Sequence, residues 1–297
     1  MKLGANTWIW VSPLTDERLT QLAPRVREMG FDVIEFPIEN LGDWSPEHAV
    51  EVLAEHGLSA SIAVAMAPGR ELCGADSETV ATTQAFLREC LDVAATVGAG
   101  AIAGPIYTST GRTWRIGVDE RAALYAELRE NLKPAAEYAG EVGVKIGIEP
   151  LVRYETSLIN TVEQALEAID PLPSSVGLLL DTYHANVEEK DFAGSFRLGG
   201  SRIVHVHASA NDRGAPGADH IDWNGFRDAI VDVGYDGPVV IESFTAENET
   251  IATAASVWRP LASTQDALAV EGVAFLRSLF AEVPAVQVTR AREDAPL

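Results

Sequence analysis

Four polar residues close or interrupt four successive apolar runs in the second half of the chain, and each can bind a cation or move a proton. They are Glu149 after KIGI, Asp181 after VGLLL, His207 within IVHVHAS and Glu242 after VVI. Three carboxylates and an imidazole form a hard-to-borderline donor set. It suits one divalent ion such as Mn²⁺, Mg²⁺ or Co²⁺ and lacks the thiolates of a structural zinc site. Taken singly, each residue has an ordinary explanation. A carboxylate that ends a strand is often a solvated rim group or the N-cap of the next helix, and Asp181 and Glu242 fit that role. Four acid or imidazole groups at the same end of four successive runs point instead to convergence on one ion. Glu155, His184 and Arg213 follow Glu149, Asp181 and His207 by six, three and six residues. They fall on the loops or first turns that leave those runs, where they would hydrogen-bond a polyhydroxylated molecule beside the ion. Outside this context, Arg213 would read as a surface ion pair. His205 shares a strand face with His207 but sits one step deeper, and is expected to be satisfied inside the fold.

Such convergence needs elements that place all four runs side by side, pointing one way. Strand-like runs recur eight times, at residues 3–8, 33–36, 59–65, 101–104, 144–148, 176–180, 203–206 and 239–241. Helical patterns fall between them at 16–29, 46–56, 77–97, 119–142, 161–169, near 188–197 and at 223–233, and a last one covers about 264–280. Gly30, Gly57, Gly98, Gly143 and Gly234 each end a helical pattern shortly before a strand, where a C-cap needs a left-handed residue. Helix, glycine, strand is the rhythm of a parallel sheet with crossover helices. Eight units without a linker or composition shift predict one (β/α)8 TIM barrel over residues 1–285, followed by a frayed tail at 286–297. The alternative, a doubly wound open sheet, lacks a phosphate-cradling glycine fingerprint after its first strand. Barrel active sites lie at the C-terminal ends of the strands, where the four polar residues stand.

Several stretches resemble the ketose 3-epimerases, the D-tagatose, D-allulose (D-psicose) and L-ribulose 3-epimerase group within the xylose-isomerase-like barrels. The resemblance is carried by EPLVRYET from Glu149, LDTYHANVEE from Leu180, HVHAS from His205, GYDGPVVIESF from Gly234, FDVIEFP from Phe31 and VWRPL from Val257, and it spans nearly the whole chain. It implies that Glu149, Asp181, His207 and Glu242 bind one metal ion per subunit, usually Mn²⁺, with Co²⁺ or Mg²⁺ as substitutes. It further implies that Glu149 and Glu242 double as the acid–base pair, and that Glu155, His184 and Arg213 hold the ketose around its O1 and O2 end. A homodimer or homotetramer is expected on the same ground. Many relatives carry an acidic residue where this chain has Ala210 and a glycine where it has Asp219; neither position is an expected ligand.

Inverting carbon 3 of a ketose means removing a proton next to a carbonyl and returning one to the opposite face. A carboxylate alone is too weak a base for that C–H bond. A divalent ion polarises the carbonyl and stabilises the developing enediolate, and two carboxylates serve the two faces. Other isomerases on this scaffold, acting on hydroxypyruvate or interconverting aldose and ketose, are the nearest alternative, and an inosose lyase is a further one. Composition narrows the field. The chain has 297 residues and a net charge of −22 from 22 basic and 44 acidic residues. That balance disfavours a nucleic-acid groove or an anionic membrane surface, and with them an endonuclease on this barrel. Cys73 and Cys90 show no paired spacing and read as buried thiols. With no apolar leader or membrane-spanning run in the sequence, a cytoplasmic enzyme is expected.

Overall fold

Eight short runs form strands where apolar residues can be covered on both faces. They are β1 (Leu3–Asn6), β2 (Val33–Ile38), β3 (Ser59–Val64), β4 (Ala101–Gly104), β5 (Lys145–Ile148), β6 (Val176–Asp181), β7 (Ile203–Ala208) and β8 (Val239–Ile241). Every residue of β2 and β6 is buried, as a parallel sheet walled by helices requires. Each strand pairs in parallel with the next, and β8 pairs with β1 through Gly4 and Val240, so the sheet closes. The computed structural model describes residues 1–281; the tail expected at 286–297 lies outside the described residues.

The surrounding helices are α1 (Asp16–Glu28), α2 (Pro46–His56), α3 (Ser77–Val97), α4 (Val118–Val142), α5 (Val162–Ile169), α6 (Thr182–Glu188), α7 (Phe192–Gly199), α8 (Trp223–Asp232), α9 (Glu249–Ala254) and α10 (Gln265–Ala281). Local chemistry starts and stops them. Asp76 accepts a hydrogen bond from Thr79 N at 2.8 Å to open α3, and Ser45 caps α2 ahead of Pro46 at its first position. The five glycines expected to end helices all have positive φ, between 62° and 97°. The apolar faces of these helices pack against the outside of the barrel, burying residues such as Leu19, Leu87, Leu128, Phe226 and Leu276.

Three local features depart from the sequence reading. The first strand ends at Asn6 rather than at residue 8, because the Asn6 side chain accepts from Trp8 N at 2.8 Å and turns residues 7–9 into a 3₁₀ helix. The helix expected near 188–197 runs over Phe192–Gly199 as α7, and a further helix, α6, precedes it at Thr182–Glu188. Asp181 opens α6, and Asp191 opens α7 by accepting from Gly194 N at 2.9 Å. A short helix not anticipated, α9, lies beyond β8. There Phe244, Ile251, Ala252 and Val257 form a small apolar cluster with Trp8 and Leu261. One glycine is tied directly to the site's geometry. Gly104, at φ +146°, ends β4 where a Cβ would lie 2.7 Å from Val64 O, and its carbonyl accepts from Glu149 N at 3.1 Å.

Candidate metal centre

The closed barrel brings four ligand candidates to one point. Glu149 follows β5, Asp181 ends β6, His207 lies near the end of β7 and Glu242 follows β8. Asp181 stands opposite His207 in the β6–β7 register. One oxygen or nitrogen from each of the four lies within 4.8 Å of the others. All four residues are buried, none more than 7% exposed. Asp181 fills two roles at once: its Oδ1 caps α6 by accepting from Tyr183 N at 2.8 Å, and its Oδ2 meets Arg213 Nη1 at 2.5 Å. The helix-capping explanation and the ligand explanation are therefore compatible, one oxygen each.

Arg213 is the cation at the centre of this group. Its Nη1 also lies 3.3 Å from Glu242 Oε2, and its Nη2 lies 3.0 Å from His184 Nε2. The guanidinium sits over the ring of Tyr183 at 4.0 Å and that of Phe244 at 5.0 Å. A left-handed backbone, φ 69°, aims it there, and hydrogen bonds on either side pin it: Arg213 N to Ala210 O and Phe244 N to Arg213 O, both 3.0 Å. Far from being a surface ion pair, Arg213 is buried. His184, on α6, receives Val152 N–H on Nδ1 at 3.0 Å and faces Glu149 Oε1 at 3.6 Å through Nε2. Burial and the nearby Arg213 charge hold its pKa well below 6.5, so the ring is neutral. Glu155 stands apart from the four. It is half-buried on the β5 loop, where Gly111 N donates to its carbonyl at 2.7 Å. Burial raises its pKa, and it lies within electrostatic range of Arg213, Glu242 and Asp181.

Carboxylates crowd this centre, and burial and neighbouring charges shift its members in opposite directions. Burial and the Glu242 charge push the Glu149 carboxyl well above 4.5. Burial works against a charged His207, but Glu242 and Glu35 outweigh it and drive the imidazole well above 6.5. Glu242 itself is lowered, since the His207 and Arg213 charges overcome its burial. The centre thus takes up protons to offset crowded carboxylates, the demand that a divalent cation meets instead. Two buried atoms in it, Glu149 Oε1 and His207 Nδ1, have no hydrogen-bond partner. An oxygen and a nitrogen left orphaned among hard donors are what a metal ion satisfies, so the residues present fit one.

Sequence reasoning missed Glu35. It lies in the middle of β2, fully buried, with its carboxylate between the two histidines of β7. The available signal was a lone acid inside the apolar run VIEFPI; its partners are some 170 positions away and carry no local spacing. His205 is satisfied there inside the barrel, in keeping with its deeper position on the strand.

Comparison with known proteins agrees with this fold. Residues 23–279 match the family model of the xylose isomerase-like TIM barrel. The ketose 3-epimerase of Arthrobacter globiformis is 29% identical over 97% of this chain and 100% of its own. A probable ketose 3-epimerase of Synechocystis sp. is 30% identical, over 94% of this chain and 97% of its own. A solved L-ribulose 3-epimerase structure superposes with a TM-score of 0.88 at 26% identity, covering 95% of each chain.

Proposed function

Since the chain belongs to the ketose 3-epimerases of the xylose isomerase-like TIM barrels, we propose that it inverts carbon 3 of a free ketose such as D-allulose and D-fructose, D-tagatose or L-ribulose. The observation that carries the proposal is the buried set of Glu149, Asp181, His207 and Glu242 within 4.8 Å of one another at the strand ends. These four residues would hold one divalent ion, Mn²⁺ first and Co²⁺ or Mg²⁺ as substitutes. When bound, such an ion polarises the ketose carbonyl and lowers the cost of the negative charge that develops on deprotonation.

The chain's own residues do the rest. Glu149 and Glu242 come from strands three positions apart around the eight-strand barrel, so their carboxylates approach a bound sugar from different sides. One takes the carbon-3 proton from one face and the other returns a proton to the opposite face; the reverse reaction exchanges their roles. Arg213 and neutral His184 present donors to the sugar's oxygens beside these groups, and Glu155 accepts from its hydroxyls at the rim. The aromatic rings of Tyr183 and Phe244 pack against the Arg213 guanidinium at 4.0 and 5.0 Å. A free sugar carries no charge, so an acidic chain with net charge −22 needs no basic steering surface.

No helix among the described residues is long and apolar enough to cross a membrane. A cytoplasmic homodimer or homotetramer, built from one barrel domain per chain, completes the proposal. Purified protein supplied with Mn²⁺ and a panel of ketohexoses and ketopentoses is expected to convert its best substrates to their C3 epimers, read by chromatography of the sugar products. An aldose product in place of a C3 epimer would contradict the proposal and favour an aldose–ketose isomerase.

A further inference from the structure

The interior layer beneath the metal centre is polar, where barrels are ordinarily filled by branched apolar side chains. Asn6 and Glu35 stand opposite one another in the β1–β2 register, and His205 and His207 reach Glu35 across the barrel from β7. Glu35 Oε1 lies 2.7 Å from His205 Nε2, and Oε2 lies 2.9 Å from His207 Nε2. Oε2 also accepts from Asn6 Nδ2 at 2.8 Å. Asn6 donates to one oxygen and an imidazole nitrogen lies at hydrogen-bond distance from each, so the Glu35 carboxylate is the common acceptor and the ring nitrogen facing each of its oxygens carries a proton. For His207 this leaves Nδ1 as the nitrogen turned to the centre, 3.4 Å from Glu242 Oε1 and without a hydrogen-bond partner.

We propose that Glu35 is a positioning residue of the metal centre: by accepting from Nε2–H of His207 it aims Nδ1 at the cation, while Asn6 and His205 fix Glu35 in turn. This rests on reading the four-residue set as a divalent cation site. Glu35, His205 and His207 also lie close enough to form a ligand set of their own, but their contacts assign protons there. Both imidazoles meet the carboxylate at hydrogen-bond distance, and the Asn6 amide takes one of its oxygens. Among the described residues, the buried carboxylate and imidazole atoms left without a partner are Glu149 Oε1 and His207 Nδ1, both in the other set. A carboxylate behind a metal-ligating histidine raises its basicity and fixes its ring, and its loss typically costs 10–100-fold in affinity.

The test is Mn²⁺ titration of chelator-treated protein by calorimetry. Wild type is expected to bind one Mn²⁺ per chain, Glu35→Gln about 10–100-fold more weakly, and Glu35→Asp, with the charge kept at shorter reach, in between. In the wild-type protein loaded with Mg²⁺, imidazole ¹⁵N spectra are expected to place the His207 proton on Nε2. If Glu35→Gln does not fold, Glu35→Asp and the wild-type spectrum still decide. Wild-type Mn²⁺ affinity in both variants, with only the metal-free melting temperature lowered, would reduce Glu35 to a structural role and overturn the inference. A His207 proton on Nδ1 would do the same. A wild-type protein that takes up no Mn²⁺ would instead overturn the cation site itself.

Discussion

Glu149→Gln or Glu242→Gln is expected to leave a folded barrel with below about 1% of wild-type epimerase turnover, since a positioned acid or base contributes about 10²–10⁴-fold. Glutamine keeps the shape and one oxygen donor but can neither accept nor return a proton. Either change alone stops both directions of the reaction, because each glutamate is the base in one direction and the acid in the other. Both residues also belong to the ligand set, so metal content must be measured on the same samples. A variant that retains its ion and loses turnover has lost proton transfer; one that loses both has lost a ligand. Circular dichroism and melting temperature separate either outcome from unfolding. A variant with intact metal content and more than a few per cent of turnover would mean that its glutamate is not one of the two proton-transfer groups.

Removing the metal is expected to have an effect as large. Exhaustive chelation should abolish turnover, and Mn²⁺ or Co²⁺ added back should restore it. The physical reason lies in the centre itself: Glu149, Asp181 and Glu242 crowd one point, where Arg213 and His207 offset part of their charge. An ion that binds the folded state alone adds about 2.7 kcal/mol of stability at a hundredfold excess over its Kd. For a chain of 297 residues, whose unfolding entropy is about 2.1 cal/mol/K per residue, that raises Tm by roughly 4 °C. Thermal unfolding with and without Mn²⁺ therefore reports on the site independently of catalysis. Full activity after complete metal removal, with no change in Tm, would contradict the donor-set reading.

Much of the barrel and of the candidate metal centre is legible in the amino-acid order alone. The glycine that follows five of the helical patterns and the apolar run after it set both the repeat and its direction, which puts Glu149, Asp181, His207 and Glu242 at one end of the barrel. Nothing more than strand order is needed for them to converge. Glu155, His184 and Arg213 belong near the mouth by their short distance from a strand end, and the fold brings the last two into contact with the ligand set. Other features depend on contacts that sequence spacing does not encode. Glu35 meets His205 and His207 only because the sheet closes and β2 faces β7 across the barrel. The burial of Arg213 depends on a left-handed backbone at a non-glycine residue and on rings from two separate segments. The break between α6 and α7 turns on Asp191 capping a new helix where the polar run HANVEEKD gives no clear stop.

The central claim is that carbon 3 exchanges its proton with groups on the protein. Turnover of a ketose substrate in D₂O, followed by NMR of the recovered sugars, tests it most directly. The mechanism predicts deuterium at carbon 3 of the product, with the other carbons unlabelled. Deuterium at carbon 1, or epimerisation without label from solvent, would contradict it.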